Sequence, residues 1–142
     1  MPKRKKRSLA QEADKVAIAL QKLVRIKAAD DTGYASCVTC GFTAHYKTMD
    51  GGHFISRGKT ATKLIEENIH CSCKGCNLRM GRGDSTVFLN YYDYMKDKYG
   101  EEFIEELREK SREVKKWDRY ELEEMYQDIQ KRIKEEEERV GS

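Results

Sequence analysis

The sequence predicts an α+β fold, mostly helical, built on a small zinc-stapled core of short strands and one short helix. A helix precedes this core and further helices follow it. Three observations carry the prediction. Four of the five cysteines form two Cys-x-x-Cys pairs, Cys37 with Cys40 and Cys73 with Cys76, a few tens of residues apart, which is the ligand pattern of a closed tetrahedral zinc site. On both sides of that region apolar residues recur at intervals of three and four, the period of amphipathic helices. Between the two pairs no such period runs, and the segments are short, polar and broken by glycine, as short strands and loops are.

Composition bounds the answer. A chain of 142 residues holds one small domain, and its 38% hydrophobic against 37% charged residues leave a thin core that needs a staple. The net charge of +3 is unevenly spread. Residues 1–82 carry 16 Lys and Arg against 7 Asp and Glu, and residues 83–142 carry 12 against 18. The half with the cysteines attracts a polyanion, while the acidic half supplies packing or a partner surface. No apolar run approaches the ~20 residues of a bilayer-spanning helix, and no apolar stretch with a cleavage site follows the basic N-terminus. A cytoplasmic protein with reduced thiols and no membrane partner is expected.

In chain order, residues 1–8 hold five consecutive cations, Lys3 to Arg7, and read as a flexible basic arm that either contacts phosphates or is simply solvated. Residues 9–83 follow as a helix plus the zinc-stapled core. The helix spans residues 9–29, with Ala13, Ala17, Leu20, Val24 and Ala28 on one face and Ile18 and Leu23 widening it, and turn residues from Asp30 to Gly33 end it. Tyr34 to Gly41 forms the first zinc knuckle. Phe42 to Thr48 reads as a strand, and His45 within it as an exposed histidine beside Tyr46 before it reads as a ligand or phosphate contact. Gly51 and Gly52 predict a sharp turn delivering His53 to substrate or metal, with Phe54 and Ile55 pinning the segment to the core. Arg57, Lys59 and Lys63 populate a basic loop suited to DNA phosphates. Asn68 to His70 makes a second strand, and the second knuckle, Cys73 to Asn77, opens a short helix ended by Gly81 and Gly83.

Residues 84–142 form the helical remainder. A helix over residues 84–99 is capped by Asp84 or Ser85, and its aromatic face reads as core rather than as a base-stacking platform. A second helix runs from Phe103 to about Val114. A third starts at Asp118 with Leu122, Met125, Ile129 and Ile133 in a narrow stripe. That stripe suits helix pairing within the chain or between two chains, and so a homodimer. The run Glu135 to Glu138 reads as a frayed tip.

The chemistry follows from His53 and Asn77. Phosphodiester hydrolysis needs a base for the attacking water, a cation at the phosphate, and donors that hold the backbone. A neutral His53 can be the base. Asn77 offers an oxygen to magnesium or manganese, and Arg57 can hold the phosphate. Zinc held by four sulfurs has no open position and is structural.

His53 after its glycines, Asn68 five positions before Cys73, and Asn77 directly after Cys76 resemble the HNH, or His-Me finger, nuclease superfamily, including its endonuclease VII type. The motifs CVTCG, DGGHFISRG, EENIHCSC and CKGCN, with the flanking helix and YGEEFIEEL, resemble the NinG (Rap) family of phage recombination nucleases over roughly residues 15–130. The resemblance implies a ββα-metal core and a structure-selective DNA endonuclease that cuts branched recombination intermediates, Holliday junctions and D-loops, inside the bacterial host of a phage or prophage. It implies His53 as general base, Asn68 as the brace that orients it, and Asn77 as ligand of the catalytic cation. Many HNH enzymes carry an aspartate ligand where this chain has Gly52, a feature shared by NinG-like sequences. Asp50, His70 and Asp84 are the candidates to stand in. His70 reads equally as a strand residue bonded to the zinc shell, and Cys71 as an unliganded thiol or a competitor of Cys73. Two other readings stand beside the nuclease: a non-catalytic zinc module that binds DNA, and an interaction scaffold built on the acidic helices.

Overall fold

The structure, a computed structural model, describes residues 6–141. The elements in order are α1 (Leu9–Ala28), β1 (Tyr34–Ser36), β2 (Thr43–His45), a 3-10 turn at Tyr46–Thr48, β3 (Asp50–His53), a 3-10 turn at Glu66–Asn68, β4 (Ile69–Ser72), α2 (Lys74–Gly81), α3 (Ser85–Tyr99), α4 (Glu101–Lys110) and α5 (Arg119–Val140). The chain is thus α+β and mostly helical, with two small antiparallel sheets, β1–β2 and β3–β4. No helix among the described residues is long and apolar enough to cross a membrane.

Helix α1 begins with a capping box. The Ser8 hydroxyl accepts from the Gln11 N–H at 3.1 Å, and the Gln11 side chain accepts from the Ser8 N–H at 2.8 Å, which satisfies two donors that an uncapped helix end leaves open. The expected basic arm falls largely on residues 1–5, outside the described residues. Its last two residues belong to the fold instead, because Ser8 is the cap and the Arg7 carbonyl accepts from the Arg119 guanidinium at 2.9 Å.

The single apolar stripe expected on α1 is corrected. Ile18 is 61% exposed and Ala28 is exposed, whereas Val16, Ala19 and Ile26 join Ala13, Ala17, Leu20, Leu23 and Val24 in the core. The helix buries two faces because it lies between α5 on one side and the β3–β4 hairpin on the other. Small alanines on these faces let both neighbours come close.

The turn expected at Gly51-Gly52 is a strand. Strand β3 pairs with β4 in the register Asp50↔Ser72, Gly51↔Cys71, Gly52↔His70 and His53↔Ile69. The glycines serve close packing rather than a bend: a Cβ on Gly51 would sit 2.7 Å from the Gln21 Cα of α1, so α1 rests on bare backbone there. Only part of the strand expected over 42–48 forms, because the chain turns into the 3-10 helix at Tyr46. Asn68 likewise closes a 3-10 turn and β4 starts after it.

A second core lies under α3 and α4, where Tyr91, Met95, Ile104 and Leu107 pack on Phe54. Helix α3 is capped by Asp84, whose carboxylate accepts from the N–H groups of Thr86 and Val87. Helix α4 stops at Lys110, short of Val114. The Ser111 hydroxyl donates to the Arg108 carbonyl at 2.6 Å, and the chain then runs out extended, with the Lys115 N–H on the Thr60 hydroxyl at 2.9 Å.

Helix α5 starts after Asp118, which caps it. Its stripe of Leu122, Ile129, Ile133 and Val140 is buried against α1 within the same chain, so the apolar face offered as a reason for a homodimer is already covered. The frayed tip expected at 135–138 is instead docked. Arg139 donates to the Ile26 and Ala29 carbonyls at the end of α1, at 2.9 and 3.0 Å, and it also pairs with Glu136 and Asp31.

The close seating of α1 on β3 sets a test. Gly51→Ala is expected to destabilise the fold by about 1–3 kcal/mol, as overpacking does. Gly75→Ala, with nothing within 4 Å of the new methyl, is expected to be neutral or slightly stabilising. Urea unfolding of both variants reads this, and equal effects would refute the packing argument.

Candidate functional site

Cys37, Cys40, Cys73 and Cys76 converge, all four sulfurs lying within 4.8 Å of one another. A tetrahedral site with ~2.3 Å zinc–sulfur bonds places its sulfurs about 3.8 Å apart, and the Cys40 and Cys73 sulfurs stand at 3.8 Å. The set therefore fits a structural zinc ion. Local folding arranges the ligands: Gly41 takes a left-handed φ of 79° after the first pair, and Cys73 caps α2 by accepting the Cys76 N–H at 3.4 Å. Burial pushes the Cys73 thiol up to about 12. Cys37 is also buried, yet the Thr39 hydroxyl and backbone N–H groups hold it down at about 6. Four such sulfurs repel as thiolates unless a cation sits among them. Cys71 stands apart from the cluster, buried on the face toward α1, with its thiol pushed up to about 11 by burial. It is not a competitor for zinc in this arrangement.

His53 ends β3 and is 9% exposed. Its Nε2 lies 2.9 Å from the Lys63 carbonyl. A carbonyl only accepts, so Nε2 carries the proton and Nδ1 keeps a lone pair. Burial, seconded by the charges of Arg57 and Lys63, lowers the His53 pKa, so the ring is neutral near pH 7. The loop that supplies the Lys63 carbonyl is held by Asn68, which is fully buried. Its side chain accepts from the Ile55 N–H at 2.8 Å and donates to the Ile55 and Thr62 carbonyls at 3.0 and 3.2 Å, while its carbonyl accepts from the Phe54 N–H at 2.8 Å. One side-chain amide thus ties Ile55 to Thr62, the two ends of the loop that follows His53.

Asn77 lies in α2, one residue past Cys76, and faces β3. Its amide nitrogen donates to Asp50 at 3.1 Å, and its oxygen would lie 3.2 Å from a Cβ on Gly52. The Asp50 carboxylate also pairs with Lys74 at 3.0 Å. His53, Arg57 and Asn77 line one cavity of about 280 Å³, closed by Gln21, Phe54 and Met80. The zinc cluster positions this wall, because the helix that carries Asn77 begins at one of its ligands.

The remaining expected residues divide. Arg57 is half exposed and 3.9 Å from Asp14, at the mouth of the cavity. Lys59 is exposed with no side-chain partner among the described residues. Lys63, expected at DNA phosphates, is instead turned inward: it is ion-paired with Asp14 of α1 and its side chain is only 13% exposed. Asp84 is committed to capping α3 and does not reach Asn77. His45 stacks on Tyr46 at 4.8 Å, and its Nδ1 accepts from the Lys47 N–H at 3.3 Å.

His70 engages both ring nitrogens with tyrosine hydroxyls and stands outside the four-cysteine cluster. Its Nδ1 is 3.1 Å from the Tyr91 hydroxyl and its Nε2 is 2.8 Å from the Tyr99 hydroxyl. Tyr91 donates to the Gly52 carbonyl at 2.6 Å. Its hydroxyl proton is therefore spent, and the protons order themselves as Tyr99 to His70, His70 to Tyr91, and Tyr91 to Gly52. This chain fixes the strand from behind, next to His53. Sequence reasoning placed Tyr91 and Tyr99 in the core but missed their hydroxyls, and it missed Gln21, Met80 and Asp14, for which periodicity carries no signal.

Over residues 2–139 the chain matches the protein family described as Bacteriophage Lambda NinG protein. Comparison with curated proteins and with solved structures gives no match.

Two measurements follow. Elemental analysis is expected to find one zinc per chain. Cys40→Ser, at the exposed member of the set, should lose the ion and lower the melting temperature, and full zinc content in that variant would contradict the assignment. The second concerns acid. Burial pushes His70 down to about 3 from an ordinary 6.5, so between those values the unfolded chain binds a proton that the folded chain refuses. The stability from His70 is complete above 6.5 and is lost as pH falls toward 3. His70→Phe should flatten that part of the stability–pH curve and cost about 1–3 kcal/mol at neutral pH through the orphaned hydroxyls. Parallel curves from urea unfolding of wild type and variant would sink the account.

Proposed function

The chain belongs to the bacteriophage lambda NinG protein family, and from there we propose that it is a metal-dependent DNA endonuclease of the HNH type, selective for branched recombination intermediates such as Holliday junctions and D-loops in a phage-infected or prophage-carrying bacterium. The observation that carries this reading is the convergence of His53, Arg57 and Asn77 on one cavity, with His53 neutral and its Nδ1 unengaged. A pure binding module needs neither that histidine nor that asparagine. The β3–loop–β4–α2 order supports a ββα-metal core.

In this reading His53 Nδ1 takes a proton from the attacking water as its oxygen bonds to phosphorus. The bond from phosphorus to the leaving sugar oxygen breaks, and that oxygen is protonated from solvent. The Lys63 carbonyl keeps the imidazole in the Nε2–H form and steadies the imidazolium that forms. Arg57 holds the phosphate in line. Asn77 Oδ1 and the neighbouring Asp50 carboxylate would hold magnesium or manganese, which when bound supplies charge stabilisation at the phosphate and the leaving oxygen. Asp50, whose carboxylate accepts from the Asn77 amide at 3.1 Å, would take the place of the acid missing at Gly52. The zinc cluster stays structural.

Gly52 also favours one second reading, a zinc-stabilised DNA-binding module that does not cut. A labelled four-way junction and a matched linear duplex, incubated with magnesium or manganese, decide between the two. Wild type is expected to cut the junction in preference, and His53→Ala with equal zinc content should be slower by about 10²–10⁴-fold, the usual worth of a general base. Binding without cutting by zinc-loaded wild type, with either ion, would establish the module instead.

A further inference from the structure

A groove of about 470 Å³ runs along α1 beside α5. Four cations line it, Arg7, Lys15, Lys22 and Arg25, against one carboxylate, Asp14. That carboxylate is already paired with Lys63. Lys15 lies over the Tyr126 ring at 4.0 Å, so its stem is packed and its charge is held over the groove rather than swinging free. Lys22 has only a loose pairing, 3.9 Å from Glu137 with both side chains 43% exposed. Arg25 is anchored through the Met49 carbonyl at 2.9 Å.

Helix α1 lines both this groove and, through Gln21, the cavity of His53. Asp14 lines the groove and touches Arg57 of the cavity, and Gln21, which lines the cavity, neighbours Lys22 in the groove. From Lys15 to Arg25 the helix axis runs about 15 Å, room for several phosphates of one strand at about 3.4 Å of duplex axis each. Arg7 extends the line to the end of the basic run that begins at Lys3.

We propose that the α1–α5 groove binds the phosphate backbone of the DNA that continues away from the scissile phosphate, making α1 the shared wall of a cutting site and a holding site. The proposal rests on the nuclease reading only for the word scissile. The binding itself is measurable without cleavage.

The test is the salt dependence of binding to a labelled four-way junction and a short duplex, with no magnesium or manganese added. Each lost phosphate contact lowers the slope of log K against log salt by about 0.9, so Lys15→Gln with Lys22→Gln should lower it by about 1.8. Lys22→Gln alone, at a part-exposed side chain whose one ion pair is loose, should lower it by about half that amount, which covers the case where the double variant folds poorly. Lys96→Gln, outside the groove, should leave the slope unchanged. A slope equal to wild type in both groove variants overturns the proposal, as does wild type that binds neither DNA. Normal cutting by wild type with an unchanged slope in the variants removes the groove and leaves the nuclease. A lowered slope with no cutting by any protein removes the nuclease and leaves the groove.

Discussion

Two strands of four residues each hold His53 in place, and a hairpin of that size is marginal when it stands alone. What makes it rigid is the convergence of four sulfurs from two distant pieces of chain. One pair closes the β1–β2 knuckle, and the other ends β4 and begins α2. Linking them pins α2 across β3, and with α2 comes Asn77. The distance between the histidine and the asparagine is therefore set by sulfur geometry more than by hydrophobic area, which in a chain this charged is scarce. Helix α1 completes the arrangement from the opposite side, where Gly51 lets it rest directly on the strand.

Electrostatics follow the same layout. Asp14, on α1, accepts Lys63 and lies near Arg57, which holds the loop that cradles His53 against the helix. The cost of placing a carboxylate beside a would-be polyanion site is offset by the two cations it satisfies. The imidazole sees burial and positive neighbours, and both favour the neutral form that a base requires. Behind the strand, the ordered hydroxyls of Tyr91 and Tyr99 hold a second neutral histidine. Two of the three histidines in the chain are thus kept uncharged by burial, one with a lone pair toward the cavity and one with both ring nitrogens engaged.

Much of this was legible in the residues. Cysteine spacing located the metal site because thiolate ligands leave a fixed pattern in sequence. The helices α1, α3 and α5 were legible because periodicity survives any tertiary arrangement, and Asn77 because it adjoins a ligand. The misreadings share one cause: local sequence does not record what a segment packs against. Gly51 and Gly52 look like a turn unless one knows that a helix lies on them. Ile18 looks like core and Val16 does not, until α1 is sandwiched. Glu135 to Glu138 looks like a solvated end unless the carbonyls closing α1 are there to receive Arg139. His70 looks like a ligand or a neighbour of the zinc shell because its true partners are tyrosines of α3, 21 and 29 residues away in sequence.

The sandwiching of α1 has a temporal meaning. The helix precedes the strands it covers, yet the partner for its second face, α5, comes after them in the chain. Contacts such as that between Arg7 and Arg119, 112 residues apart, cannot form until α5 has been made, and such long-range closures slow folding. A nascent or truncated chain can gather its cysteines but leaves Leu20, Leu23 and their neighbours without a lid, the kind of exposed surface that proteases and chaperones read. The wall on which the histidine rests is therefore finished only once α5 has been made.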